Sequence, residues 1–418
     1  MDKLTLIIPG FLLLALLEWQ LTKKKAHLFS RENSIINLCI GGIDRIVSLV
    51  HFALLILFLD YLYVNYRINT ISDAWYNWIL AYVAVDFVSY WYHRFSHRIN
   101  ILWAGHITHH SSSYYNLTNN FRTSPFQGFN RIIFWCVLPI VGFSTEMLFT
   151  TFIVSSVYDF FVHTQTVPKI RWLEHVFITP SLHKVHHGKN DIYLDKNYGS
   201  TFVIWDKWFN TFQDETEAVA FGISSPDYVD NDPMRAIFFH YQYLWNTIKK
   251  TPSFKNKILL LLKPPEWRPD DLQTLATVVD SENAGMRPTS VHSMYAWFVF
   301  ILSTMGVFGL LLFKDILDLN FFIIGSVIFL SGMVVATKIF TKNISIHLKR
   351  NELIKNILAI FILLVLVLKY SNPHAWLILT AVSLITFFTL FLPNAAEIWP
   401  GGSEAEQTHE ASGATGHF

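Results

Sequence analysis

The sequence predicts an all-α membrane protein, a multi-span helical bundle with a histidine-rich cap at one membrane face. Three observations predict it. Of the 418 residues, 52% are hydrophobic and 16% aromatic while only 15% are charged, too apolar a balance for a soluble domain of this length. Several apolar runs approach the roughly 20 residues that a helix needs to cross the hydrocarbon core. Ten of the eighteen histidines fall between His93 and His187, next to the ends of such runs.

The first run, from Leu4 to Leu17, is preceded by Lys3 and followed by Glu18 and Lys23, Lys24 and Lys25. Most of its positive charge follows the apolar stretch, and no small-residue cleavage site is present, so the run reads as an anchored helix rather than a signal peptide. A second span lies within Ile35 to Tyr63, interrupted by Asp44 and Arg45, and a third covers Trp75 to Tyr92. Residues 132–161 are apolar but broken by Pro139 and Gly142, which predicts two short helices forming a hairpin that returns to its starting side. The last four spans are Tyr295 to Phe313, Phe321 to Phe340, Ile354 to Leu368 and Ala375 to Leu392. The chain therefore divides into N-terminal membrane helices (1–92), a histidine-rich region that includes the hairpin (93–215), a cytoplasmic connector (216–292), C-terminal membrane helices (293–393) and a tail (394–418) with the composition of disorder.

Loop charge sets the expected orientation, because Lys and Arg are retained on the cytoplasmic side. The loop after the first span carries Lys23, Lys24, Lys25 and Arg31, whereas residues 64–74 carry only Arg67. From the other end, Lys342, Lys349 and Arg350 mark the loop between Lys338 and Lys355 as cytoplasmic. Both ends place residues 93–131 and 162–292 in the cytoplasm, at a bacterial inner membrane or the endoplasmic reticulum. On that side the sequons at Asn116 and Asn343 carry no glycan. A net charge of +1 without a basic aromatic stripe excludes a nucleic-acid binder. Cys39 and Cys136 lie inside apolar runs and read as small buried hydrophobes, with neither a disulfide nor a cysteine zinc site.

The clustered histidines form a pattern: His93 and His97; His106, His109 and His110; the single His163; and His183, His186 and His187. Spacings of three and four put side chains on one helical face, one turn apart, so each group can aim its imidazoles into a shared volume. The remaining histidines, including His51, His175, His240 and His292, read as core or interfacial residues. Uncompensated polar groups at helix ends beside a membrane are costly, and a metal is their natural partner. A zinc site needs three or four protein ligands, whereas eight or nine imidazoles suffice for two ions with open positions. Imidazole ligation alone leaves zinc, copper, iron and nickel open. Asp86, Asp159, Asn116, Arg122, Glu174, Asp195 and Asn197 are candidates to support these ligands, since metal-bound histidines usually give their second ring N–H to an acceptor. Asp195 and Asn197 lead that group.

The histidine boxes resemble the fatty acid hydroxylase and sterol desaturase superfamily of membrane di-iron enzymes. Longer stretches carry the likeness further: Trp103-Ala104-Gly105-His106, Thr108-His109-His110-Ser111-Ser112, Tyr115-Asn116-Leu117-Thr118, Thr179 to Asn190, Asp195-Lys196-Asn197-Tyr198-Gly199 and Ile204 to Phe212. These look like the pterin-dependent alkylglycerol monooxygenase branch. The resemblance implies two iron ions held by the nine histidines in residues 93–215, with dioxygen and a membrane lipid as substrates. It also implies a separate electron donor or a reductant such as tetrahydrobiopterin, and Asp195, Asn197 and Asn116 are the candidate catalytic side chains. The reaction so implied hydroxylates an ether-linked carbon and releases fatty aldehyde and glycerol. Two departures from the animal pattern stand out: Arg98 replaces an acidic residue after the first box, and Ser113 and Tyr114 replace an acidic pair after the second. The alternatives are a sterol or fatty acyl hydroxylase or desaturase with a redox-protein donor and, in a different class, a metal transporter, disfavoured because the histidines lie at one edge rather than along the spans. The aromatic stretches Phe202 to Phe212 and Phe238 to Trp245 are expected as an interfacial cover.

Overall fold

A computed structural model describes residues 3–23, 25, 28–223, 232–272, 290–315, 317–341, 348–370 and 375–390. The tail 394–418, the second sequon and His27, His347, His374, His409 and His417 lie outside the described residues, as does part of the 216–292 connector. The chain divides into two units, Met1–Asp280 and Ser281–Phe418. Among the described residues the architecture is helical, and the only strand-like pairing is an isolated bridge between Phe177 and Phe202.

In the first unit, α1 (Lys3–Thr22) is followed by α2 (Arg31–Tyr66), whose N-cap Ser30 accepts the Asn33 N–H at 3.2 Å. Asp44 and Arg45 do not interrupt α2, contrary to the sequence expectation; the helix runs unbroken for 36 residues and keeps both charges inside it. The third run is also longer than the sequence marks it. Helix α3 (Trp75–Arg98) continues past Tyr92 and carries His93 and His97 itself, with Ile99 separating it from α4 (Asn100–His110).

The expected two-helix hairpin is built in three pieces: α5 (Gln127–Trp135), α6 (Val137–Val141) and α7 (Thr145–Val162). The chain turns at Gly142, at φ +122°, where a side chain would be strained. A Cβ there would also lie 2.4 Å from the Asn69 carbonyl oxygen, because the turn is tied to the α2–α3 loop by Ile68 N–H to Ile140 O and Ile71 N–H to Gly142 O. Gly142→Ala is accordingly expected to lower stability by about 1–3 kcal/mol, measurable as a lowered thermal unfolding midpoint of the purified protein. Below the turn, α2, α3, α5, α6 and α7 share an apolar core of Leu55, Leu59, Val85, Trp135, Met147 and Phe152, among others.

The last elements of the first unit are α8 (Pro180–His186), α9 (Ile204–Trp208), α10 (Pro233–Lys250) and α11 (Phe254–Leu262). Helix α10 is amphipathic and lays Ala236 and Ile237 on Ile36 and Ile40 of α2. His240 fills a core role: its Nε2 bonds to Asn100 Oδ1 at 2.7 Å. The 202–212 stretch packs Phe202, Trp205 and Phe209 around Tyr90 and Tyr198. Both stretches expected as an interfacial cover thus bury one face against the protein's own helices. The second unit contains α12 (Ser290–Phe313), α13 (Leu319–Phe340), α14 (Leu348–Tyr370) and α15 (Ala375–Leu390), with Tyr295 and Thr389 joined through their hydroxyls at 3.0 Å.

Four helices, α2, α7, α12 and α13, are long and apolar enough to cross a membrane among the described residues, and the protein is an integral membrane protein. Helix α3 misses that standard because tyrosines, tryptophans, Asp86 and two histidines dilute its apolar character.

Candidate metal centre

The nine clustered histidines come from four places: the last turns of α3, the last two turns of α4, the C-cap of α7 and the single short helix α8. Helix α8 is set by Thr179, whose hydroxyl caps Leu182 N–H and is itself donated to Glu174 at 2.8 Å, with Pro180 at the first helical position. The imidazoles sort into two groups. His93, His97, His106, His110 and His186 form one, His109, His163, His183 and His187 the other, and within each group the donor nitrogens lie within 4.8 Å of one another. Each His-x-x-His-His box is split: the i, i+4 pair goes to one group and the i+3 histidine to the other, as the roughly 100° step per helical residue requires of a box wedged between two sites.

Four of the outer ring nitrogens face backbone carbonyls. Nδ1 of His93 meets the Tyr198 carbonyl at 2.9 Å, that of His109 the Arg122 carbonyl at 3.3 Å, that of His163 the Asp159 carbonyl at 2.5 Å and that of His186 the Lys196 carbonyl at 2.8 Å. A carbonyl only accepts, so each of these imidazoles carries its proton on Nδ1 and turns a bare Nε2 lone pair inward. Inside the groups Nε2 atoms then face one another at 3.0–3.3 Å: His93 and His110 against His106, His163 against His109 and His183, and His187 against His183. The Nε2 atoms of His97 and His186 are buried with no partner at all. Where both rings carry their proton on Nδ1, as His109 and His163 do, the facing lone pairs repel, and the buried unpaired nitrogens of His97 and His186 are costly. A cation in each group satisfies all of them at once, so the donor set fits two metal ions.

Electrostatics point the same way. Burial, reinforced by neighbouring imidazoles, holds His109, His110, His183, His186 and His187 well below the ordinary histidine pKa. Neutral imidazole is the metal-binding form.

The side chains singled out in the sequence are placed differently from one another. Asp195, at φ +59°, lies with Oδ1 3.6 Å from His97 Nδ1 and Oδ2 2.5 Å from Arg98 Nη1. Burial disfavours its ionised form, but His97 and Arg98 outweigh that and hold its pKa down to about 2. Arg98, the departure after the first box, thus supplies the charge that fixes this carboxylate, and it also reaches Glu266 at 3.3 Å. Asn197, at φ +53°, bonds to the backbone of Leu182 and Gln213 and braces α8. Asn116 is spent on the Leu117–Phe121 turn, accepting from Thr118 N–H and hydroxyl and donating to the Leu28 carbonyl. Asp86 holds Thr201 N–H, Phe202 N–H and Trp205 Nε1–H, while Glu174 holds Thr179. Arg122 is fully buried and ties Thr108, Ser111 and Asn37 together beneath the second box.

Sequence reasoning looked for side-chain acceptors behind the histidines, and the structure supplies mostly backbone carbonyls. It also passed over three residues. Gln127 reaches His106 Nδ1 at 3.2 Å through its amide. Tyr198 packs its ring 5.1 Å from His97 and 5.8 Å from His93 and His186. Asp206 anchors the loop whose carbonyl holds His93. The Asp195 to Gly199 run was the one signal pointing to Tyr198.

Residues 78–211, a stretch enclosing all nine histidines, match the fatty acid hydroxylase family model. The chain is 36% identical over 267 residues to the alkylglycerol monooxygenase of Homo sapiens, covering 62% of this chain and 59% of that protein. It is 39% identical over 215 residues to the alkylglycerol monooxygenase of Xenopus tropicalis, covering 50% and 47%. An ornithine lipid hydroxylase of Rhizobium tropici is 27% identical over 152 residues, covering 35% of this chain and 46% of that protein. The chain thus matches about half the length of these curated relatives. No solved structure matches.

Proposed function

We propose that this chain is a membrane di-iron monooxygenase that hydroxylates the ether-linked carbon of an alkylglycerol, with two ions held by His93, His97, His106, His110 and His186 on one side and His109, His163, His183 and His187 on the other. The observation that carries the reading is the inward convergence of nine buried imidazoles in two groups, and the similarity to two alkylglycerol monooxygenases supports the substrate class. Bound iron would supply dioxygen activation, with electrons from a separate donor or a small reductant such as tetrahydrobiopterin. In balance, one C–H bond and dioxygen, with two electrons and two protons, give a C–OH group and water, and the resulting hemiacetal separates into fatty aldehyde and glycerol.

The chain's own part is positional. Backbone carbonyls fix the imidazole tautomers, and Asp195 with Arg98 orients His97. The buried shell around the histidines excludes water. A lipid leaves its alkyl chain among the membrane helices and brings the reacting carbon to the cap. Loop charge supports a cytoplasmic cap. The similarity to an ornithine lipid hydroxylase supports a second reading, hydroxylation of another lipid at the same site.

Purified protein incubated with 1-O-hexadecylglycerol, tetrahydrobiopterin and oxygen is expected to release hexadecanal, with about two irons per chain. Full iron loading without aldehyde would sink the ether-cleaving reading and leave the lipid hydroxylase standing.

A further inference from the structure

The polar residues inside α2 are not absorbed by the metal centre. Asp44, Ser48 and His51 follow one another at spacings of four and three, so they share a face of the helix. His51 is only 4% exposed, and neither of its ring nitrogens has a hydrogen-bond partner. Its ring lies directly on Gly128 of α5, where a Cβ would come within 2.1 Å, so the two helices interlock at this point. One turn further along α5 stands Arg131. Its guanidinium carbon is 5.5 Å from the ring centre of Tyr92 and 5.6 Å from that of Phe152. It is partly exposed, and no carboxylate among the described residues lies within ion-pairing distance of it. Trp135, on the next turn and buried, has an indole N–H with no acceptor.

These groups sit at a junction. Helix α5 begins at Gln127, which touches His106 through its amide and accepts the Tyr92 hydroxyl at its carbonyl. Arg131 stands four residues after Gln127 on the same face of α5, one turn behind the side chain that touches His106. On its other side is the apolar core of Leu55, Val88, Trp135 and Phe152. The unpartnered ring nitrogens here are those of His51 and Trp135, while Arg131 has the Tyr92 hydroxyl beside it and the Asp44 carboxyl within reach of its charge, all between the histidines and a buried apolar core. Donors left unmatched in such a place are costly unless a ligand oxygen meets them. The oxygen-bearing head of an amphiphile is a group that would meet such donors.

We propose that Arg131 and His51 bind the oxygen-rich head group of the lipid substrate and so set which carbon is presented to the metal histidines. This rests on the ether-lipid reading above. The shared chemistry is an oxygen acceptor on the glycerol head, supplied either by free hydroxyls or by a phosphate.

The test compares wild type, Arg131→Gln, Arg131→Lys and His51→Phe for metal content, for binding of radiolabelled 1-O-hexadecylglycerol and its 3-phosphate in detergent, and for kcat and KM. Loss of one charge-assisted bond corresponds to roughly tenfold, so Arg131→Gln is expected to raise Kd and KM about tenfold at normal metal content, with kcat changed less and partial recovery in Arg131→Lys. A greater effect on the phosphate than on the diol identifies phosphate as the preferred head, and equal effects identify the hydroxyls. Should Arg131→Gln fail to load metal, His51→Phe carries the comparison. Binding that depends on Arg131 without aldehyde release would refute ether cleavage alone. Unchanged Kd for both lipids in the metal-loaded variants, or no binding by wild type, overturns the head-group site.

Discussion

His186→Ala is expected to remove the metal ion of the five-histidine group, leave the four-histidine group loaded, and abolish turnover. His186 is the one residue of the third box in its group, and its ring centre lies 4.3 Å from that of His93, 4.7 Å from that of His110 and 4.9 Å from that of His97. Its inward nitrogen has no other partner. Metal per chain should therefore fall from about two to about one, and activity should fall beyond the roughly 10- to 100-fold typical of losing an outer partner. His183→Ala, three residues away, should do the converse by emptying the other group. His240→Gln is the control, because His240 is occupied by Asn100 far from both groups in role. Elemental analysis of the three variants decides the assignment: two ions retained in both His186→Ala and His183→Ala would refute the division of the box.

Asp206→Ala is expected to be the most damaging change away from the histidines. The carboxylate is fully buried, its Oδ1 accepting Tyr198 N–H at 2.8 Å and the Thr211 hydroxyl at 2.7 Å, its Oδ2 accepting Gly199 N–H at 2.8 Å. Burial raises its pKa to about 6 against these bonds, so it is ionised at neutral pH. Alanine leaves buried donors unmatched, at a cost of about 3–5 kcal/mol. Because the Tyr198 carbonyl holds His93 Nδ1, the loop that relaxes also orients a metal ligand. Thermal unfolding should drop sharply, and metal should dissociate faster even below the unfolding midpoint. Asp206→Asn should recover only part of this, since its amide nitrogen cannot accept the second N–H. A variant with wild-type melting and metal retention would show that the 198–199 loop is held by other contacts.

Much of the fold was legible in order along the chain. Apolar runs located the four helices that are long and apolar enough to cross a membrane among the described residues, since a span is a local property of about 20 consecutive residues. Breaks were read less well. Asp44 and Arg45 looked like an interruption, yet a helix closes its backbone bonds internally and keeps charges where a neighbouring helix can accommodate them. Tyr92 marked the end of the apolar run, and α3 continues six residues further, to Arg98, with His93 and His97 one turn apart on it as their spacing required. Gly142 and Pro139 did signal the turn, because the signal there is stereochemical and local.

By itself the sequence determined the histidines' spacing, and through it the face of each helix on which they stand, including the lone His163 at the end of the returning hairpin. Only the tertiary structure decided how those faces meet: that His106 and His110 join His186 while His109 joins His183 and His187, that backbone carbonyls hold the outer nitrogens, and that Asn116 is consumed in a turn while Asp195 reaches His97. The reason is physical. Periodicity fixes a side chain's direction from its own helix, but which imidazoles share a volume, and which carbonyl lies behind them, depends on helix crossings and loop paths set by packing between residues far apart in sequence.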